Sequence, residues 1–67
     1  MMRALIVDDE RVARSRLRWL LDAEPDIAVV GECEDGPTAV AAVLEHRPDL
    51  VFLDINMPNM DGFTVLD

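Results

Sequence analysis

Two apolar runs that each end in acidic residues constrain this chain more than any other feature. The run ALIV at 4–7 stops at Asp8 and Asp9, and the run LVFL lies within 49–54 and stops at Asp54. Unbroken runs of bulky apolar side chains are typical of strands that are buried on both faces of a sheet. We therefore predict strands over 4–7 and 49–54, with carboxylates at their carboxyl ends.

The residues between these runs predict two helices and a third strand. A helix is predicted over about 10–23, with Asp9 as a candidate N-cap. A short strand over 27–30 and a helix over 36–46 follow. The apolar faces expected for the two helices are formed by Ala13, Leu17, Leu20 and Leu21, and by Ala39, Val40, Val43 and Leu44.

The order β-α-β-α-β with short connections predicts a parallel sheet with right-handed crossovers. The strands over 4–7 and 49–54 are the most uniformly apolar and need cover on both faces, whereas the strand over 27–30 passes into a polar run, as an edge strand does. This favours strand order 2-1-3 with one helix on each face, a truncated doubly wound α/β fold. Strands 1 and 3 then end side by side at a topological switch point, where such sheets bind ligands.

In this strand order, Asp8, Asp9 and Asp54 converge at one edge of the sheet. Three crowded carboxylates repel each other, and a hard divalent cation with oxygen ligands relieves that repulsion. Mg²⁺ is typically bound by one or two carboxylates plus a phosphate oxygen, and an aspartate can accept a phosphoryl group. We predict Asp54 as the nucleophile and the acidic pair as metal ligands, although the pair by itself is equally well explained as helix caps.

Composition narrows the classes of partner. The formal net charge of −8 opposes binding to nucleic acid or to anionic lipid, so we expect this segment itself to bind neither DNA nor membrane. The single cysteine and the absence of a long apolar run at the start favour a cytoplasmic location. At 67 residues, without a disulfide framework, the chain is expected to be part of a larger domain.

Three motifs together resemble the receiver domain of bacterial two-component response regulators. They are VDDE at 7–10, DG at 35–36 and PDLVFLDINMPNMDG at 48–62, in that order and spacing. The resemblance implies a flavodoxin-like fold, of which residues 1–67 are the N-terminal half. The rest of the receiver and the output domain are then expected outside this chain. Independently of the resemblance, the sequence predicts a further helix that begins near Gly62.

The resemblance also implies roles for individual residues. Asp54 would be the phospho-acceptor for a partner sensor histidine kinase and also a Mg²⁺ ligand. Asp9 would bind the Mg²⁺ directly, Asp8 mainly through water, and Asn56 through its backbone carbonyl. In the family, a serine or threonine and a lysine also hold the phosphoryl group, and both would lie beyond Asp67. We therefore expect this chain alone to bind Mg²⁺ weakly and to hold no phosphate.

The resemblance further implies a non-enzymatic protein that controls a DNA-binding output domain, of LytTR type or, as the second choice, of NarL type. Two alternatives stay open: a Mg²⁺-dependent phosphatase of the haloacid-dehalogenase kind, and a degenerate receiver that only binds proteins. The phosphatase uses a D-x-D motif, whereas Asn56 follows Asp54 at that spacing here. Finally, the exposed edge of strand 3 predicts self-association.

Overall fold

The computed structural model describes residues 1–54 of the chain, so the predicted helix near Gly62 and the predicted metal ligand Asn56 lie outside the described residues. Within them the order β-α-β-α-β is confirmed. The elements are β1 (Met2–Val7), α1 (Arg11–Asp22), β2 (Ile27–Cys33), α2 (Gly36–His46) and β3 (Leu50–Leu53). None of the helices in this part of the chain is long and apolar enough to cross a membrane.

The three strands form a parallel sheet in the order β2-β1-β3, which confirms the predicted topology. The central strand is covered on both faces: Ala4, Leu5 and Ile6 are completely buried, and Val7 is 1% exposed. Successive side chains of a strand point to opposite faces, so a strand with helices on both sides must be apolar at every position. This explains the unbroken run ALIV.

The two helices cover opposite faces of the sheet. On one face, Leu5 and Val7 form a buried cluster with Cys33 and with Ala39 of α2; around it pack Val40, Ala42, Val43, Val51 and Leu53. On the other face, Ile6 of β1 lies near α1; the cleft there is also lined by Ala13, Leu17 and Phe52. The prediction of one helix on each face is therefore confirmed.

The prediction of the buried helix faces is wrong for two residues. Leu20 is 52% exposed and Leu44 is 73% exposed. Both lie at the border of their apolar stripe, and each helix is rotated so that the opposite border packs on the sheet. In α1 this rotation half-buries Arg14 instead of Leu20, and in α2 it turns Ala42 toward the core instead of Leu44.

The edge strand β2 is longer than predicted. The predicted end is Val30, whereas the strand continues to Cys33. Val30 has no partner in β1, so the register shifts by one residue there, and pairing resumes between Gly31 and Leu5. A Cβ atom on Gly31 would lie 3.1 Å from Leu5 Cδ1, so glycine permits this close approach. The polar Glu32 is tolerated on an edge strand that packs beside the arginines of α1.

The amino ends of β1 and β3 are joined by reciprocal hydrogen bonds. The Arg3 N–H donates to Asp49 Oδ2 at 2.8 Å, and the Asp49 N–H donates to Arg3 O at 2.8 Å. The Arg3 guanidinium also donates to the carbonyl of His46 at the end of α2. This helix is closed by Arg47, which adopts the left-handed conformation with φ 48° and ψ 60°.

Candidate functional site

The candidate site lies where the carboxyl ends of β1 and β3 meet. Val7 pairs with Leu53, and one residue farther along the Asp54 N–H donates to Val7 O at 3.0 Å. This bond continues the ladder past the end of β3 and holds the backbone of Asp54 beside that of Asp8. One carboxylate oxygen from each of Asp8, Asp9 and Asp54 lies within 4.8 Å of the other two.

Asp8 is held more firmly than its place in a loop suggests. Its N–H donates to Cys33 O at 3.0 Å, and its own carbonyl accepts from Arg14 Nη1 at 2.6 Å. Its side-chain Oδ1 accepts the Glu10 N–H at 2.9 Å. The strand ends of β1 and β2 and the first turn of α1 therefore fix this aspartate together.

The prediction that Asp9 caps α1 is wrong. The residue at the N-cap is Glu10, and its side chain makes no capping hydrogen bond. The Asp8 carboxylate takes the amide of Glu10 instead, which moves the start of the helix one residue on. Asp9 is left exposed at the rim, so capping does not account for an acidic residue there.

The electrostatics of this rim are unfavourable for the protein alone. Two unit negative charges about 5 Å apart repel each other by about 1 kcal/mol in water, and by more where the dielectric is lower. Asp8 and Asp54 are half-buried, so water screens them less than it screens Asp9. The arrangement carries an energetic cost that a bound cation would remove.

The donor set fits a small hard cation. Mg²⁺ prefers oxygen ligands at about 2.0–2.1 Å, so two ligands on opposite sides of the ion lie about 4.2 Å apart. The carboxylate oxygens of the rim, within 4.8 Å of each other, match that size after a small side-chain adjustment. Asp8 and Asp54 also border a cleft of ≈ 390 Å³ that opens beside α1 and gives access from solvent.

Two further titratable groups lie at the same end of the sheet. Burial raises the pKa of the Cys33 thiol, the charge of Asp35 raises it further, and Arg14 opposes this shift. Hydrogen bonds from the Thr38 hydroxyl and amide lower the pKa of Asp35, the N-cap of α2. The Cys33 thiol is therefore protonated at neutral pH, and the Asp35 carboxylate caps the N-terminus of α2.

Sequence reasoning missed Arg14. Arg14 is not among the residues predicted for the sheet-facing side of α1, yet its side chain is only 15% exposed and contacts Asp8 O and Glu32. A signal was available, because side chains in the first turns of a helix point back toward its N-terminus. That direction carries an arginine four residues after Glu10 toward the acidic loop.

Comparison with known families identifies the family of the chain that carries this site. The model of the response regulator receiver domain matches residues 4–67. The chain belongs to this family. Receiver domains generally bind Mg²⁺ at their phosphorylation site and interact with sensor histidine kinases. Membership does not favour the phosphatase or the degenerate receiver.

Similarity to individual proteins supports the same family assignment. The chain is 48% identical over 66 residues to the transcriptional regulatory protein BtsR of Salmonella typhi, covering 98% of the chain and 28% of the relative. The receiver fold is that of the solved response regulator domain of Thermotoga maritima CheB, with a TM-score of 0.88 and 41% identity. This match covers 98% of the chain and 49% of that domain, so the chain spans about half of the solved receiver.

The relatives also correct one prediction. The expectation of a non-enzymatic protein is wrong, because receiver segments of this kind occur in enzymes. The protein-glutamate methylesterase/protein-glutamine glutaminase 3 of Syntrophomonas wolfei is 44% identical over 66 residues, covering 98% of the chain and 19% of the enzyme. The receiver segment is therefore shared between transcriptional regulators and enzymes.

Proposed function

We propose that Asp54 accepts a phosphoryl group from a partner sensor histidine kinase, with Mg²⁺ bound by Asp8, Asp9, Asp54 and the backbone carbonyl of Asn56. One observation carries this proposal. A chain of the receiver family brings the carboxylates of Asp8, Asp9 and Asp54 within 4.8 Å of each other at the carboxyl edge of its sheet.

The surroundings of the three aspartates support different roles for them. Asp54 is half-buried and follows β3 directly, and its backbone is tied to Val7, so its carboxylate has a rigid base. Asp8 already uses one carboxylate oxygen to accept the Glu10 amide, and Asp9 lies exposed on the loop. Asp54 is therefore the best placed to attack, and the other two are better suited to hold a cation.

In the proposed transfer, an oxygen of Asp54 forms a bond to the phosphorus as the bond from phosphorus to the kinase histidine nitrogen breaks. Bound Mg²⁺ would supply positive charge next to the transferred phosphoryl oxygens. Asp8 and Asp9 keep that charge at the rim, and the β1–β3 ladder keeps the attacking oxygen in place. Such transfers depend mostly on positioning and charge compensation. The described residues would supply the positioning, and the cation that they hold would supply the charge.

We further propose that residues 1–67 are the N-terminal half of a receiver domain. Support comes from the match to about half of the solved CheB domain. The serine or threonine and the lysine that hold phosphate in the family would then follow Asp67, and the chain itself contains arginine but no lysine. Loss of one positioned donor can cost about 10²–10³ in rate, so the chain alone is expected to hold no stable phosphate.

Intact-mass analysis after incubation with acetyl phosphate and Mg²⁺ tests this proposal. The complete protein should gain one phosphoryl group, and Asp54→Asn should not, while Asp49→Asn at the other end of β3 should gain it normally. Residues 1–67 alone should gain none. Phosphorylation of the Asp54→Asn protein at the wild-type rate would contradict the role of Asp54, and a stable adduct on residues 1–67 would contradict the division of the site.

Two kinds of output are compatible with the relatives. The name of BtsR, a transcriptional regulatory protein, supports a DNA-binding output domain, for which a LytTR type is our first choice and a NarL type our second. The methylesterase relatives favour an enzymatic output instead. The sequence that follows Asp67 in the gene decides between them: a basic DNA-binding domain supports the first, and a hydrolase domain the second. A cytoplasmic location stays a prediction in both cases.

Self-association through β3 is the last part of the proposal. Within residues 1–54, β3 pairs with β1 alone, so one edge of an apolar strand offers its backbone groups to another chain. A dimer that joins two such edges would satisfy them. Light scattering on residues 1–67 at tens of micromolar should give a mass above that of the monomer, and a monomer at that concentration would contradict this.

A further inference from the structure

Arg14 links helix α1 to the loop that carries Asp8 and to strand β2. Its guanidinium Nη1 donates to the carbonyl of Asp8 at 2.6 Å, and its Nε lies 3.8 Å from Glu32 Oε1. Only 15% of this side chain is exposed. An arginine that leaves solvent to contact the loop of the acidic pair is in a position to control the shape of that loop.

The backbone of Asp8 is held from two sides. Its N–H is bound by β2, through Cys33 O, and its C=O is bound by α1, through Arg14. Without the second contact, the loop between β1 and α1 would be tied at one side only. Since the Asp8 carboxylate accepts the Glu10 N–H, rotation of the peptide between Asp8 and Asp9 would move both the carboxylate and the first turn of the helix.

Arg14 is itself held in place by a chain of ion pairs. Glu32 of β2 binds Arg14 through one carboxylate oxygen, and Arg18 Nη1 donates to the other at 2.8 Å. Arg18 also lies 3.8 Å from Asp22. The planar fork of an arginine can contact two partners in fixed directions, which a lysine cannot do.

We infer that Arg14 is a positioning residue for the proposed metal-binding loop: it holds the peptide between Asp8 and Asp9 so that the carboxylates of these two residues face Asp54. The inference rests on the proposed binding of Mg²⁺ at this rim. Glu32 acts one step farther away, by orienting Arg14. Neither residue needs to touch the cation.

A purely electrostatic role for Arg14 predicts the opposite sign. Removing a positive charge near three carboxylates makes the rim more negative, which by itself strengthens the binding of a cation. Removing a positioning contact weakens it; loss of groups that support metal ligands typically costs about 10–100-fold in affinity. The direction of the change therefore separates the two roles.

The experiment is a titration with MgCl₂, followed through the backbone amides of Asp9, Glu10 and Asp54 by NMR. We expect Arg14→Gln to raise the Kd for Mg²⁺ about tenfold, at the low end of that range, and Arg14→Lys to raise it by a smaller factor. Arg11→Gln removes the same charge from an exposed position of α1 and is the matched control; its Kd should stay the same or fall. Glu32→Gln should raise the Kd less than Arg14→Gln.

A second readout needs no metal. Hydrogen exchange of the Glu10 amide should be faster in Arg14→Gln than in the wild type, and unchanged in Arg11→Gln. An Arg14→Gln protein that binds Mg²⁺ as tightly as the wild type, or more tightly, would overturn the inference. If the wild type itself binds no Mg²⁺, the proposed metal site fails, and the positioning role then depends on Glu10 exchange: unchanged exchange overturns it and faster exchange supports it.

Discussion

The two ends of the β1–β3 pair are built in opposite ways. At the amino end, Arg3 and Asp49 exchange two hydrogen bonds, and the Arg3 guanidinium donates to the carbonyl of His46 at the end of α2. At the carboxyl end, three like charges from Asp8, Asp9 and Asp54 meet within 4.8 Å. The same two strands thus end once in residues that hydrogen-bond to each other and once in a cluster of like-charged carboxylates.

We interpret the amino end as serving stability and the carboxyl end as serving the proposed function. A protein selected only for stability would not collect like charges beside each other, because this lowers the free energy of unfolding. Such departures are expected at functional sites, where the rest of the fold compensates for them. The hydrogen bonds at the amino end are part of that compensation, since they hold the strands whose other ends repel.

The largest effect is expected from breaking the amino end. In Asp49→Ala, the Arg3 amide loses its charged acceptor, and the free energy of unfolding should fall by about 1.5 kcal/mol. Urea denaturation measures this. Asp26→Ala is the control, because Asp26 is also an exposed acidic residue, at the amino end of β2, and this substitution should change the stability little. Equal losses in both variants would mean that the hydrogen bonds of Asp49 contribute nothing.

A smaller effect, this time an increase in stability, is expected from replacing Arg47 at the same end. Its left-handed backbone is costly for any residue with a Cβ atom and is free for glycine, which however loses more entropy on folding. Arg47→Gly should therefore raise the free energy of unfolding by about 0.5–1 kcal/mol. Arg47→Ala keeps the Cβ atom and should show no gain. A loss in the glycine variant would show that the Arg47 side chain itself stabilises this end.

At the carboxyl end, removing a charge should stabilise the protein. In Asp9→Asn without Mg²⁺, the relief of repulsion should raise the free energy of unfolding by about 0.5 kcal/mol, since the exposed charge is partly screened. The gain should shrink as NaCl is added. Asp26→Asn, remote from the rim, is the control. Destabilisation by Asp9→Asn would mean that the rim is not repulsive.

The smallest effect on stability is expected from Asp35, an acidic residue at the carboxyl end whose carboxylate caps α2. Its pKa is lowered by the hydrogen bonds from Thr38, so its contribution is present above the pKa of the unfolded state and is lost as pH falls through the folded value. Below about pH 4 the wild type should lose more stability than Asp35→Asn. Urea midpoints between about pH 2.5 and 6 measure the difference, and parallel pH profiles would contradict it.

Sequence reasoning succeeded where a pattern is local and strongly apolar. The runs before Asp8 and Asp54 predicted the buried strands, their order and the edge at which the acidic residues meet. It failed where a contact depends on distant residues. The hydrogen bonds between Arg3 and Asp49 span 46 positions, and nothing near either residue indicates the partner.

Helix rotation was the other source of error. The apolar stripe of α1 has Leu20 at one border and Arg14 next to the other. Hydrophobicity alone therefore favours burial of the leucine over the arginine. The structure buries the arginine side instead, because Glu32 on β2 offers it a partner. The extension of β2 that supplies Glu32 was itself missed, since a polar residue after Gly31 indicates the end of a strand.

The most direct test of the central claim, that the carboxyl rim is a cation site formed at a cost in stability, compares wild type and Asp54→Asn by urea unfolding with and without MgCl₂. NaCl of equal ionic strength controls for screening. Without Mg²⁺ we expect Asp54→Asn to be the more stable protein. At Mg²⁺ about ten times above its Kd, the wild type should gain about 1.4 kcal/mol and the variant clearly less. Equal stabilisation of both proteins by Mg²⁺, or of neither, would contradict the claim.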